Sequence, residues 1–168
     1  TSHVILNIAH ASFMPAIGVG MSCATLIGKF LGEKTPDKTD QVVKEGVKWS
    51  LCIMGSMGLL FILAPHWIVP IFSTNPDIIK MGKPCLQIIG VLQYFDAIGI
   101  TLFFVLTGAG NTLFPAIVDI IVVWLFFLPL AYYLGIIMEM GVIGAWIGFA
   151  AWIIPLAVVM AIKVRMGT

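Results

Sequence analysis

One carboxylate stands where its neighbours leave no water to solvate it. Asp96 lies near the middle of an apolar stretch running from about Cys85 to Thr107. A charge at the centre of a membrane helix costs about 2.5–3.5 kcal/mol on insertion scales, so it marks a functional position by default. Helical spacing puts Gln93 one turn before Asp96 and Gly99 and Ile100 one turn after, with Phe103 and Thr107 continuing the face. Two polar groups and a gap at Gly99 suit the wall of a cavity better than a surface against lipid. A carboxyl there can trade between protonated and cation-bound states, which is the chemistry of proton or sodium coupling. The plainer alternative is a protonated acid hydrogen-bonded to a neighbouring helix for packing.

The other polar residues carry weaker signals. Asp119 lies about a turn and a half into a second apolar stretch and reads equally as a cavity residue or a structural hydrogen-bond partner. Asn7, His10 and Ser12 decorate the first stretch, where His10 reads as packing or water-facing. His66, between Pro65 and Trp67, reads as interfacial. Met14, Met21, Met54 and Met57 are soft fillers of irregular helix contacts; Trp124 and Trp146 are expected to pack, although either could stack on an aromatic ligand. Cys23, Cys52 and Cys85 show no C-x-x-C or zinc spacing and read as small packing residues. No H-E-x-x-H, G-x-S-x-G, P-loop or dinucleotide fingerprint is present, so no enzyme is expected.

The elements that must position these residues follow from composition. Hydrophobic residues make up 60% of the 168 and charged residues 10%, with a mean hydropathy of +1.08. Soluble domains carry about a quarter charged residues, so a lipid bilayer is the expected solvent. A net charge of +1 gives no electrostatic case for nucleic acid. Crossing the hydrocarbon takes about 20 apolar residues of helix, and five stretches qualify, at about 4–31, 47–72, 85–107, 113–134 and 142–162. Period-2 alternation is absent, which argues against barrel strands. The fold class is therefore an all-α, polytopic helical bundle. Thr35 with Pro36 and Asp37 starts a short polar helix, Asn75-Pro76-Asp77 repeats the signal, and Pro84 marks entry to the third span. Pro15, Pro129 and Pro155 predict kinks, and Gly28/Gly32 and Gly144/Gly148 have the small-xxx-small spacing of close helix contacts.

Lys29, Lys34, Lys38, Lys44, Lys48, Lys163 and Arg165 gather on one side of the spans, against Lys80 and Lys83 on the other. The positive-inside rule then puts the first and third loops and the C-terminus in the cytoplasm, with Trp67, Tyr132 and Tyr133 at the outer interface and Trp49 at the inner one. The chain starts at Thr1 without an initiator Met, so an upstream part is expected.

Several stretches resemble the multidrug and toxic compound extrusion (MATE) transporters. Phe13 to Gly20, running on through Ala24 to Gly32, is similar to the family's G-Q-x-L-G helix end, with Lys29 where Gln is commoner. Ile71 to Asp77 is similar to its outer loop. Leu106 to Thr112 with Pro115 is similar to its G-A-G-D-T-x-x-P turn, with Asn111 for Asp. Pro129 to Leu134 followed by Gly141 to Trp146 continues the match.

The resemblance implies twelve helices in two six-helix lobes, with residues 1–168 forming helices eight to twelve of the C-terminal lobe and the N-terminal lobe absent. It implies a cation-coupled antiporter that exports drugs or other organic, often cationic, compounds across the plasma membrane (the inner membrane in a bacterium) by alternating access. It gives Asp96 the role of the coupling residue for Na⁺ or H⁺, on the segment Gln93 to Ala97, with no other cofactor. Leu92 replaces a tyrosine often found there, and the partner glutamate of the seventh helix lies outside this chain. Gln93, Gly99 and Asp119 are the expected cavity neighbours. A flippase for lipid-linked sugars is a second reading, but its cavity needs several cations for phosphate. A non-transporting membrane subunit is a third.

Overall fold

The computed structural model describes residues 2–167, so the two terminal threonines of the 1–168 expectation lie outside the described residues. The chain is helical throughout: α1 (Ser2–Gly32), α2 (Pro36–Leu63), α3 (Pro65–Phe72), α4 (Pro76–Gly108), α5 (Leu113–Val122), α6 (Leu128–Tyr132) and α7 (Gly141–Met166). One π-helical turn, Val123–Phe127, joins α5 to α6 and a second, Tyr133–Ile137, extends α6, so one continuous span runs from Leu113 to Ile137. Five helical stretches are long and apolar enough to cross a membrane. This is the polytopic bundle the composition requires.

Prolines move several boundaries. The expected span 47–72 is two helices, because Pro65 bars the residue before it from the helical region: Ala64 sits at φ −124, ψ 37. At its other end the polar segment after Pro36 is continuous with the span. Pro84 does not open the third span. Helix α4 begins eight residues earlier at Pro76, where Asn75 Oδ1 accepts the Asp77 backbone N–H at 3.0 Å. The carbonyl that Pro84 leaves free belongs to Lys80, near the helix end, where water can reach it. Thr35, the matching cap in sequence, makes no such bond; its hydroxyl donates back to the Phe30 carbonyl at 3.2 Å. Pro129 accounts for the first π turn, which precedes it: the Leu128 N–H reaches back five residues to the Val123 carbonyl. Helices α1 and α7 run unbroken through Pro15 and Pro155.

Helix α4 is the centre of the bundle, packed by α1, α2, α3 and α7. The buried side chains form three layers along it. One end holds Ile8, Phe61, Leu86, Ile89 and Trp146, the other Ile27, Leu102, Leu106 and Met160, and between them lies a thin layer of Ala16, Met54 and Ala97. Asp96 is at that thin middle.

Small residues allow the close crossings, though not always the expected ones. A Cβ on Gly58 would lie 2.5 Å from the Gly90 carbonyl oxygen, and one on Gly90 2.7 Å from that of Gly58, so α2 and α4 cross backbone to backbone. Gly144 and Gly148 do the same for α7 against Leu134 and Ala131. Gly28 makes only an ordinary contact and Gly32 none, because their spacing faces away from the bundle. The turn after α4 depends on Gly110, which takes φ +86.

A candidate cation and substrate cavity

The cavity beside Asp96 encloses about 300 Å³ between four helices. Helix α4 supplies Asp96, Gly99, Ile100, Phe103 and Phe104; α1 supplies Phe13 and Ile17; α5 supplies Asp119; α7 supplies Phe149, Trp152, Ile153 and Leu156. Two carboxylates therefore face one aromatic, apolar chamber. No Lys or Arg lines it among the described residues.

Asp96 is 8% exposed, and its Oδ2 has no hydrogen-bond partner among the described residues. A buried acceptor without a donor is costly, and it leaves this oxygen free for a proton or a cation. Asp119 is half-buried, and its Oδ1 accepts from Trp152 Nε1 at 2.7 Å, so α5 and α7 are tied at the cavity edge. Gly99 lines the chamber, but part of the gap it leaves is taken by Ala157 of α7, whose Cα would lie 3.6 Å from an added Cβ.

Gln93 points elsewhere. It is fully buried, outside the cavity wall, and its Nε2 donates to Ser12 Oγ at 2.6 Å. Ser12 has one hydroxyl proton, which goes to the Ala9 carbonyl at 2.7 Å. Ser12 can then only accept from Gln93, which turns the amide nitrogen toward α1 and leaves Gln93 Oε1 unpaired. One helical turn of α4 thus carries two buried oxygens without donors.

Other sequence expectations divide. Trp146 is buried and meets Phe149 edge-on at 5.4 Å, as a packing residue should. Trp124 is 68% exposed and packs into no core among the described residues. Met54 is fully buried and Met57 packs beside a core layer, whereas Met14 and Met21 are exposed, because their face of α1 has no neighbour among the described residues. His10 and Asn7 share that exposed face. Tyr94 turns from the cavity and donates to the Gly55 carbonyl at 3.2 Å, and Leu92 is buried.

The residues that sequence reasoning missed are the α7 aromatics. Phe149 and Trp152 meet edge-on at 5.1 Å, with Phe127, the last residue of the first π turn, at 6.1 and 6.4 Å from them. Phe149, Trp152, Ile153 and Leu156 recur at i, i+3, i+4 and i+7. That stripe was visible in the sequence, but every face of α7 is apolar, so the stripe did not stand out. Among the described residues no three His, Cys, Asp or Glu side chains gather into a metal site.

This arrangement has relatives. The MatE family model matches residues 2–133. A probable multidrug resistance protein NorM of Thermotoga maritima is 36% identical over 149 residues, covering 89% of this chain and 32% of that protein. Human multidrug and toxin extrusion protein 2 is 28% identical over 88% of this chain and 25% of its own length. The crystal structure of the eukaryotic MATE transporter AtDTX14 superposes with a TM-score of 0.92 at 21% identity, covering 99% of this chain and 37% of that one. The chain spans about a third of the length of the NorM protein it matches. With the family matched over most of its residues, the chain belongs to the multidrug and toxic compound extrusion (MATE) family.

Proposed function

We propose that this chain is part of the C-terminal lobe of a two-lobe MATE transporter that exports organic, often cationic, compounds across the plasma membrane in exchange for Na⁺ or H⁺. The observation that carries the reading is Asp96: a carboxylate buried at mid-bundle on the wall of an aromatic cavity, with one oxygen unpartnered. A proton or a sodium ion at Oδ2 supplies the positive partner that this oxygen lacks. One carboxylate does not complete a sodium shell, so further ligands come from the rest of the transporter.

Substrate and cation compete through the same chamber. Phe13, Phe103, Phe149 and Trp152 offer aromatic faces to an apolar cation, and Asp96 and Asp119 offer it charge. Binding of the coupling ion at Asp96 removes the negative charge that holds the substrate. Coupling follows if the ion binds one conformation more tightly than the other. Phosphate-bearing cargo is disfavoured, since no cation lines the cavity among the described residues.

The test is Asp96→Asn in the full two-lobe transporter, reconstituted in vesicles with an imposed Na⁺ or pH gradient. Gradient-driven export should fall to the level of empty vesicles while the amount of folded protein is unchanged. Export that still responds to the gradient would remove Asp96 from coupling.

A further inference from the structure

The opposite side of the bundle carries a second, larger opening. A groove of about 880 Å³ runs between α2 and α7 over the back of α4. Its floor and walls are apolar, with Val47 and Leu51 from α2, Leu102 from α4 and Val164 from α7. Its length along α2, from Asp40 to Cys52, is roughly 18 Å at the helical rise. Three cations stand at it: Lys44 and Lys48, one turn apart on α2, and Arg165 near the end of α7. Asp40 is the one acid lining it among the described residues.

The pairing of these charges is lopsided. Lys48 meets Glu45 at 3.5 Å in a well-exposed pair, which contributes little. Lys44 and Arg165 have no ion-pair partner among the described residues. Two unpaired cations at the mouth of an apolar slot match a ligand with an anionic head and a hydrocarbon tail. In a membrane protein, basic pockets between helices bind the head groups of anionic phospholipids.

We propose that this groove is a binding site for an anionic phospholipid, its phosphate held by Lys44 and Arg165 and an acyl chain lying along α2 and α4 toward Leu51. Lys48 adds charge at the rim. The site needs nothing of the transport chemistry, because it lies across α4 from the cavity beside Asp96. It does place a lipid against the helix that carries Asp96.

The experiment is native mass spectrometry of the full-length protein in detergent, titrated with phosphatidylglycerol and, separately, phosphatidylcholine of the same acyl chains. Phosphatidylglycerol should be retained about tenfold more strongly. The double variant Lys44→Gln/Arg165→Gln should weaken its retention about tenfold to thirtyfold. Lys34→Gln/Lys38→Gln, which removes equal charge from the same end but outside the groove, should leave retention unchanged. Ala161→Phe keeps every charge and fills the slot, and should also release the lipid; it carries the test alone if the double variant does not fold. Equal retention of the two lipids overturns the proposal, as does equal loss from the two charge pairs, or full retention by Ala161→Phe.

Discussion

Helix α4 and the span that follows it are both apolar enough to cross a membrane, and they are joined by a turn of a few residues, yet their places in the bundle are opposite. Over the apolar membrane-length stretch of α4, 56% of residues are buried, against 11% over that of Leu113–Ile137. Four helices pack around α4, whereas the 113–137 span lies chiefly along α7. Hydropathy finds both spans and cannot tell them apart, because lipid and protein interior are equally dry. What separates them is the polar and glycine content. Gln93, Asp96 and Thr101 are buried in α4, and Gly82, Gly90 and Gly99 let neighbours approach it. The outer span has Asp119 and Gly135 and is otherwise nearly all apolar.

The sharpest way to break this comparison is to make one substitution in both. At Gly90 an alanine Cβ would lie 2.7 Å from the Gly58 carbonyl oxygen and 2.8 Å from Ile62 Cγ1. The helices must separate, at a cost of about 1–3 kcal/mol. At Gly135 the nearest atom is the Gly141 carbonyl oxygen at 3.5 Å, an ordinary contact, and alanine gains about 0.5–1 kcal/mol of helix preference. Thermal unfolding in detergent should therefore move down for Gly90→Ala and up, or not at all, for Gly135→Ala. A common direction would show that α4 is no more tightly fixed than its neighbour.

A smaller effect tests the polar content of α4. Ser50 and Thr101 share a buried hydrogen bond at 2.6 Å, and Thr101 Oγ1 also lies 2.7 Å from the Ala97 carbonyl. Thr101 has one proton and gives it to Ala97, so Ser50 must be the donor between the two hydroxyls. Thr101→Val then strands a buried O–H, at about 1–3 kcal/mol, whereas Ser50→Ala leaves only a spare acceptor and costs about 1 kcal/mol or less. Equal melting shifts for the two variants would mean that the Ser50 proton turns to its own helix instead.

How far the sequence carries follows from the same contrast. The spans were legible because a 20-residue apolar run has few alternatives in a charge-poor chain. Asp96 was legible as an anomaly in one of them. The break at Ala64 and the start of α4 at Pro76 were misread because proline punctuates helices in two ways: Pro65 ends one, Pro84 sits inside one, and only the position of the freed carbonyl decides. The fate of Gln93 was hidden for a different reason. Helical spacing puts it on the Asp96 face, but Ser12, 81 positions away in sequence, draws its amide to α1. The α7 aromatics were hidden by uniformity, since a helix apolar on every side offers no stripe to read.

The smallest predicted effect lies on the outer span. Trp124, Leu125 and Phe126 are 68%, 66% and 50% exposed, and they precede Pro129 in a π turn whose backbone bonds do not depend on their side chains. A large aromatic removed from a core costs about 3–5 kcal/mol; one removed from a surface away from special features changes stability by about 0.5 kcal/mol at most. Trp124→Ala should therefore leave the melting temperature of the isolated 168-residue chain in detergent nearly unmoved. The same substitution in the full-length transporter asks what covers that face. If lipid covers it, the two measurements agree. A drop of several degrees in the longer protein alone would mean that another part of the transporter packs on Trp124, and the contrast between α4 and its neighbour would then belong to this segment and not to the whole molecule.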